Sequence, residues 1–225
     1  TQANLGTFTP PDAAGDMKGN VSTVGITERA LWSENLFTET TIEAHRYTTD
    51  VMPRGPAAME LLPETTLGNF FNRQHRETST LQLIESASGS AHGPGGLHLY
   101  KAGVDVLRSR YSGQSRSRTV LIRRSDGSLA RTLEFPAVST TQAKESTDVA
   151  MYAQDRVQPG DRWYGEFGAR VDRDGVLGRV NLTPRVGGAY LFEKDGSSVL
   201  RSGYGLFFER TPSVAGAFTQ YEPAV

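Results

Sequence analysis

The sequence predicts an all-β protein, an antiparallel up-and-down meander, and two observations predict it. Apolar residues recur at every second position through most of the chain, which is the period of a half-buried strand. The breaks between these segments alternate between short turns and longer irregular connections, as in a meander whose two ends differ. Alternation alone leaves open whether the apolar face meets a protein core or lipid.

Composition narrows the class. The 225 residues could form one large β domain or two smaller ones. A formal net charge of -1 gives no electrostatic reason to expect nucleic acid or an anionic membrane surface as partner. There is no cysteine, so disulfides, thiolate metal sites and cysteine nucleophiles are excluded. No apolar run approaches the roughly 20 residues a spanning helix needs. A mean hydropathy of -0.42 suits a soluble domain and a membrane barrel alike, because only alternate barrel residues face lipid. The chain opens on Thr1 with no signal-peptide pattern, and it reads as an internal piece of a longer protein.

Residues 1–19 are rich in Gly, Pro, Ala and Asp and read as loop. Residues 20–32 carry Val24, Ile26, Ala30 and Trp32 in one register against Thr23, Thr27 and Arg29. After the turn at 33–35, residues 36–48 set Leu36, Thr38, Thr40, Ile42 and Ala44 against Glu39, Thr41, Glu43 and His45. Their threonine content favours strand. Residues 49–72 hold Pro53, Gly55, Pro56 and Pro63 and read as a connection without regular structure. Residues 73–87 form a polar strand, 88–96 a short flexible connection, and 97–110 a strand with His98, Tyr100, Ala102, Val104 and Val106 on one face.

Residues 111–147 read as a long loop with its own hairpin, 118–124 and 128–135, turned at Asp126-Gly127. Residues 148–157 and 163–172 are strands around the turn Gln158-Pro159-Gly160-Asp161. The clearest pair follows. Residues 181–192 carry Leu182, Pro184, Val186, Gly188, Tyr190 and Phe192 on one side, and 199–209 carry Leu200, Ser202, Tyr204, Leu206 and Phe208. Asp195-Gly196 marks the turn between them. Short connections thus fall at 33–35, 88–96, 158–162 and 193–197, and long or irregular ones at 49–72, 111–147, 173–180 and after Arg210. Trp32, Phe37, Trp163 and Phe192 flank the short turns, as an interfacial aromatic girdle would, or as core aromatics of a soluble β domain.

Three segments carry a family resemblance: DVAMYAQDRVQPGDRW, GEFGARVDR and NLTPRVGGAYLFEKDGSSVLRSGYGLFFERTP. They resemble the barrel of TonB-dependent outer-membrane receptors, in particular the Oar-like subgroup. The matching motifs are Tyr-Ala-Gln-Asp at 152–155, Gly-x-Arg-x-Asp at 168–172, Asn-Leu-Thr-Pro-Arg-x-Gly at 181–187 and Leu-Arg-x-Gly-Tyr-Gly-x-Phe-Phe at 200–208. Thr183 stands where the family has Ser, and Phe208 where it has Tyr. Upstream, GNFFNRQHRETSTLQL and HLYKAGVDV are similar to the same family, so the resemblance covers roughly residues 20–212.

The resemblance implies part of a large transmembrane β-barrel in the bacterial outer membrane. It would lie among outer-membrane lipid and lipopolysaccharide and take up or bind a large substrate, whose identity stays unknown. TonB would act through N-terminal parts that this stretch lacks. About eight main strands are expected, against about 22 in a complete transporter barrel. The plug, the N-terminal domain and the C-terminal strand are absent from the stretch. An open set of this size leaves unpaired edges that lipid does not tolerate, so the remaining strands are required. A soluble or surface-exposed β-rich binding or adhesion module is the alternative, and an outer-membrane hydrolase is a third reading.

Few residues suggest chemistry. His45, His75, His92 and His98 show no metal-ligand spacing, no Gly-x-Ser-x-Gly elbow is present, and no cofactor fingerprint is found. The chain is therefore not expected to be an enzyme. Asp172-Arg173-Asp174-Gly175 lacks the remaining ligands of a calcium loop and reads as a solvated loop. Arginines outnumber lysines, twenty to four, and cluster at 108, 110, 116, 118, 123, 124 and 131. Arg108, Arg110, Arg116 and Arg118 are candidates for holding an anionic ligand or lipopolysaccharide, and a solvated loop is the plainer reading. Nucleic acid is not expected, because only Tyr111 is aromatic nearby. Tyr152, Gln154, Glu166, Arg170, Arg185, Arg201 and Glu209 are the candidates for lining a barrel lumen and meeting a plug.

Overall fold

A computed structural model describes residues 2–3, 8–136, 139–193 and 196–221. Thirteen strands are present among them: β1 (Gln2–Ala3), β2 (Gly15–Ser33), β3 (Leu36–Pro53), β4 (Met59–Leu61), β5 (Thr66–Leu67), β6 (Asn72–Gly93), β7 (Gly96–Ser117), β8 (Val120–Arg123), β9 (Leu129–Leu133), β10 (Thr140–Gln158), β11 (Trp163–Arg173), β12 (Val180–Leu191) and β13 (Val199–Gly205). The main sheet runs β1-β2-β3-β6-β7-β10-β11-β12-β13, with every pairing antiparallel. Its eight long strands follow chain order, which makes it an open up-and-down meander, as the alternation predicts. No helix is long and apolar enough to cross a membrane, which says nothing of a β-barrel.

The register assigns every side chain to one of two faces, because directly opposed residues point the same way. Ile26, Ile42, Leu83 and Val106 share one row across β2, β3, β6 and β7. Val104 and Met151 are opposed across β7 and β10, then Met151, Val171 and Leu182 across β10, β11 and β12. Val186 and Tyr204 continue the same face on β13. These residues are largely exposed: Ile26 at 72%, Met151 at 59% and Tyr204 at 68%. Trp32 and Trp163 lie towards one end of this face. The buried side chains are mainly polar and sit on the opposite face, among them Asp105, Ser109, Ser115, Gln142, Ser146 and Asp148. A soluble β domain buries its apolar face, and this chain does the reverse. The apolar band is interrupted where Glu28, Thr40 and Glu85 share a row, with Thr40 donating to Glu85.

The ends of the strands differ as expected, but the boundaries do not fall where alternation put them. The short turns are tighter, at residues 34–35 and 94–95, so most of the expected connection 88–96 is strand. At the other end β6 and β7 pair all the way from Gly93–Gly96 to Asn72–Ser117. Each has 22 residues, roughly 70 Å of strand, against the 9–11 residues that cross a bilayer. Their far halves therefore stand clear of any hydrocarbon layer. Residues 111–117 and 140–147, assigned above to a long loop, belong to β7 and β10.

The connection at 49–72 is also structured. β4 pairs with β5 and, in parallel, with β8, which pairs with β9 to make a four-stranded outer sheet. Phe71 meets Phe70 edge-on and stacks on Phe135, with centroids 5.2 and 5.7 Å apart. At the far end β13 stops at Gly205 rather than reaching 209. In the turn before it, Lys194 and Asp195 lie outside the described residues, while Gly196 adopts φ 75° and donates to Glu193 O at 3.1 Å. That positive φ is the conformation Gly adopts without strain.

Candidate functional site

The polar inner face is the candidate site. Six of the residues expected to line a lumen lie on it: Tyr152 and Gln154 on β10, Glu166 and Arg170 on β11, Arg185 on β12 and Arg201 on β13. Arg185 donates to Gln154, and Arg156 meets Glu166 at 3.4 Å. A trough of about 830 Å³ opens against β11–β13, lined by Arg156, Glu166, Arg185 and Arg201 around Gly187 and Gly203. These two glycines are directly paired, so their row adds no side chain to the trough. Tyr152 lies over Gly103 of β7. A Cβ there would come within 2.7 Å of the Tyr152 hydroxyl and 2.6 Å of the Glu85 carbonyl, so Gly103 admits no larger residue.

Glu209 is placed differently. It lies beyond β13, beside Asp172, Arg173 and Arg210. It belongs to a segment, residues 206–221, that folds back on the inner face. Arg210 Nη2 donates to Asp105 Oδ2 at 2.5 Å, and Ser213 meets Ser146 at 3.1 Å. Gln220 bonds both the N–H and the carbonyl of Ala143, at 2.6 and 3.1 Å. Tyr221 meets the Tyr111 hydroxyl at 2.7 Å, and Arg76 stands 6.0 Å from its ring. Ala217 is fully buried beneath the 3-10 turn Ala215–Gln220.

The fold explains why the segment goes there. β10 pairs with β11 only as far as Val149, so residues 140–148 offer a free edge. Exposed backbone donors and acceptors on an edge attract a cover. Gln220 supplies part of one.

Asp105 is the centre of the inner face. Its carboxylate accepts from Gln82 at 2.8 Å, from Arg210, and from Arg170 at 3.4 Å; Arg170 also bonds Asp172 at 2.8 Å. Ala150 on β10 lies between Asp105 and Asp172 in the same row, and its methyl leaves room for Arg170 to span the strand. Arg170 was legible as an inner-face residue. Asp105, Gln82 and Arg210 were not, because each pairs with a residue many positions away in sequence, and no local spacing encodes that.

At the outer end, Asp174 departs from the solvated-loop expectation. It is 7% exposed. Oδ1 accepts the N–H groups of Val176 and Leu177 at 2.8 Å each, and Oδ2 accepts that of Thr211 at 3.1 Å. Burial works against its charge, but these donors outweigh it and hold the carboxyl below its ordinary value. A carboxyl depressed on folding adds stability in full above its unfolded pKa, and this is lost as pH falls through the lower folded value. Asp174→Ala is expected to cost about 1–2 kcal/mol and to loosen residues 206–221. Limited proteolysis at neutral pH checks this; a cleavage pattern unchanged from the parent protein would remove Asp174 as an anchor.

The arginine candidates separate into two groups. Arg108, Arg110 and Arg116 occupy alternate positions of β7 on the exposed outer face, not a loop. Arg118 points into the outer end of the sheet and donates to the carbonyls of Gly55 and Phe70 at 3.0 and 2.9 Å, which commits it to structure.

Chemistry finds little purchase. Among the described residues no three potential metal-binding side chains converge. Thr23, His45 and Glu43 line up on the inner face, with Thr23 to His45 Nδ1 at 3.0 Å and His45 Nε2 to Glu43 at 3.3 Å. All three lie in the antiparallel β2–β3 ladder. His75 pairs with Asp50, and His98 with Asp155.

No family model matches the chain, and no curated protein sequence matches it either. Among solved structures the chain is similar to the outer membrane transporter YddB from Escherichia coli, with a TM-score of 0.65 and 14% identity. The similarity covers 91% of this chain and 27% of that one, so the chain spans about a quarter of the transporter's length. At this identity the likeness concerns the fold: an antiparallel meander with the architecture of an outer-membrane transporter barrel wall.

Proposed function

We propose that the chain forms part of the wall of a TonB-dependent outer-membrane transporter or receptor, of the Oar-like kind, that takes up or binds a large substrate. The observation that carries this is the inversion of the two faces. Met151, Phe167, Leu182 and Leu200 share the outward face, while Asp105, Gln142, Ser146 and Asp148 are buried within. Lipid rewards the first set, and a polar lumen accommodates the second. The Tyr-Ala-Gln-Asp, Gly-x-Arg-x-Asp and Asn-Leu-Thr-Pro-Arg segments support the subgroup. The role proposed for Tyr152, Gln154, Glu166, Arg185 and Arg201 is contact with a plug and with passing solute. No catalytic role and no cofactor are proposed.

The test uses the whole protein carrying this chain, expressed in a Gram-negative host. Membrane fractionation is expected to place it in the outer membrane as a heat-modifiable band. In-cell crosslinking is expected to join it to TonB. A soluble secreted protein would favour the adhesion module, and an outer-membrane band without any TonB crosslink would reduce the reading to a passive barrel.

A further inference from the structure

The outer end of β10 is a strand edge, and the group that closes it shows what else fits there. β10 pairs with β7 along its whole length but with β11 only as far as Val149. In an antiparallel ladder the N–H and C=O of one residue leave the strand on the same side, and the side alternates along the chain. Ala143 turns both groups to the free side. There the Gln220 amide accepts from its N–H at 2.6 Å and donates to its carbonyl at 3.1 Å. Thr141 and Glu145 turn their backbone groups the same way.

One side chain thus makes the two bonds that an opposing residue of an added antiparallel strand would make. Gln220 is exposed, and its bonds can be exchanged for those of a peptide. The rest of its segment is held separately, by Arg210 on Asp105 and Tyr221 on Tyr111. Gly175 marks the lower limit of the edge. A Cβ there would come within 2.4 Å of the Thr147 carbonyl oxygen, so the backbone of residue 175 already fills that place.

Charge beside the edge sets the character of the occupant. Outward, Arg108 and Arg110 share a single carboxylate, Glu145, at 3.3 and 2.8 Å, which leaves a positive charge over. Inward, Lys144 lies against Gly216 and makes no ion pair among the described residues. Side chains of an added strand alternate between these two faces, so a carboxylate on either face meets a cation. A second copy of this edge would bring the same excess of cations and be repelled.

We propose that the β10 edge at residues 141–145 binds an acidic peptide in extended form, added as a further strand in place of Gln220. Main-chain bonds supply affinity in such an arrangement, and the alternate side chains supply selectivity. As a statement of what the transporter takes as ligand, it rests on the reading above.

The experiment uses the full protein in mild detergent and three labelled peptides of equal length. One alternates Glu and Thr, one alternates Lys and Thr, and one is the Glu-Thr peptide N-methylated at consecutive central residues. Fluorescence anisotropy is expected to show binding of the first, and binding at least about tenfold weaker for the other two. Gln220→Ala removes the competing amide and is expected to bind the Glu-Thr peptide about tenfold more tightly. Ala143→Pro removes an N–H from the free side only, which edge strands tolerate, and is expected to abolish binding. Heat-modifiable migration establishes that each variant has folded. Equal binding of the N-methylated or the Lys-Thr peptide would overturn the proposal. So would unchanged affinity in Gln220→Ala, or no peptide bound by either parent or Gln220→Ala. Fractionation reports on the other reading separately: peptide binding by a protein found outside the outer membrane would sink the transporter and keep the edge.

Discussion

Met151→Arg is expected to cost the folded protein about 2–4 kcal/mol in a bilayer, the penalty for a cation near the midplane on the lipid side of a barrel strand. Met151 lies in the middle of the apolar band, opposed by Val104 on β7 and Val171 on β11, and is 59% exposed. It has no core to disrupt, so in water the same change would be close to neutral, as surface substitutions usually are. The two readings therefore predict different numbers for one variant. Urea unfolding of the whole protein, reconstituted in phospholipid vesicles, measures the difference. Tyr152→Arg, one position along and on the inner face, is the comparison: it should lose its packing over Gly103 without a lipid penalty. A Met151→Arg protein as stable in vesicles as its parent would remove the lipid-facing assignment.

How far the sequence could be read depended on which residues face out. From Trp163 to Tyr204 the outward positions in the belt are apolar or Gly/Ser, so alternation located β11 and β12 within a residue and the start of β13, but not its end, which falls at Gly205 rather than 209. Above the belt the outward residues of β7 are Arg108, Arg110, Ser112, Gln114 and Arg116, while Ser109, Ser115 and Ser117 face inward. Polar residues on both faces have no period-two signal, and the outer halves of β7 and β10 vanished into an expected loop although their ladder is continuous. The inner-face residues Tyr152, Gln154, Glu166, Arg170, Arg185 and Arg201 were legible, because they alternate with apolar neighbours. Glu209 was not, because Gly205 ends the strand and the chain turns back. Its place follows from the Arg210–Asp105 contact and the free edge of β10, neither of which is local in sequence.

Asp105→Ala should be the most disruptive single change on the inner face. The carboxylate is 7% exposed and is shared by Gln82, Arg170 and Arg210, from two other strands and the in-folded segment. Truncating it leaves two guanidinium groups close together with one acceptor fewer, and removing one partner of a buried charge cluster costs more than the cluster itself contributes. Both arginines keep about a third of their side-chain surface in solvent, which lowers the penalty from the fully buried value to about 2–3 kcal/mol. Arg170 retains Asp172 at 2.8 Å, so β11 should hold its place. Arg210 loses its one carboxylate contact among the described residues, and residues 206–221 should detach, exposing Tyr221 and the edge of β10 at Ala143. Hydrogen exchange separates the two effects. Protection is expected to fall at residues 140–148 and 206–221 and to persist along β11. Asp105→Asn should lie between parent and alanine variant, since its amide oxygen still accepts from one arginine. If protection fell evenly over the whole sheet, Asp105 would be holding the strands together instead of anchoring the segment that covers them.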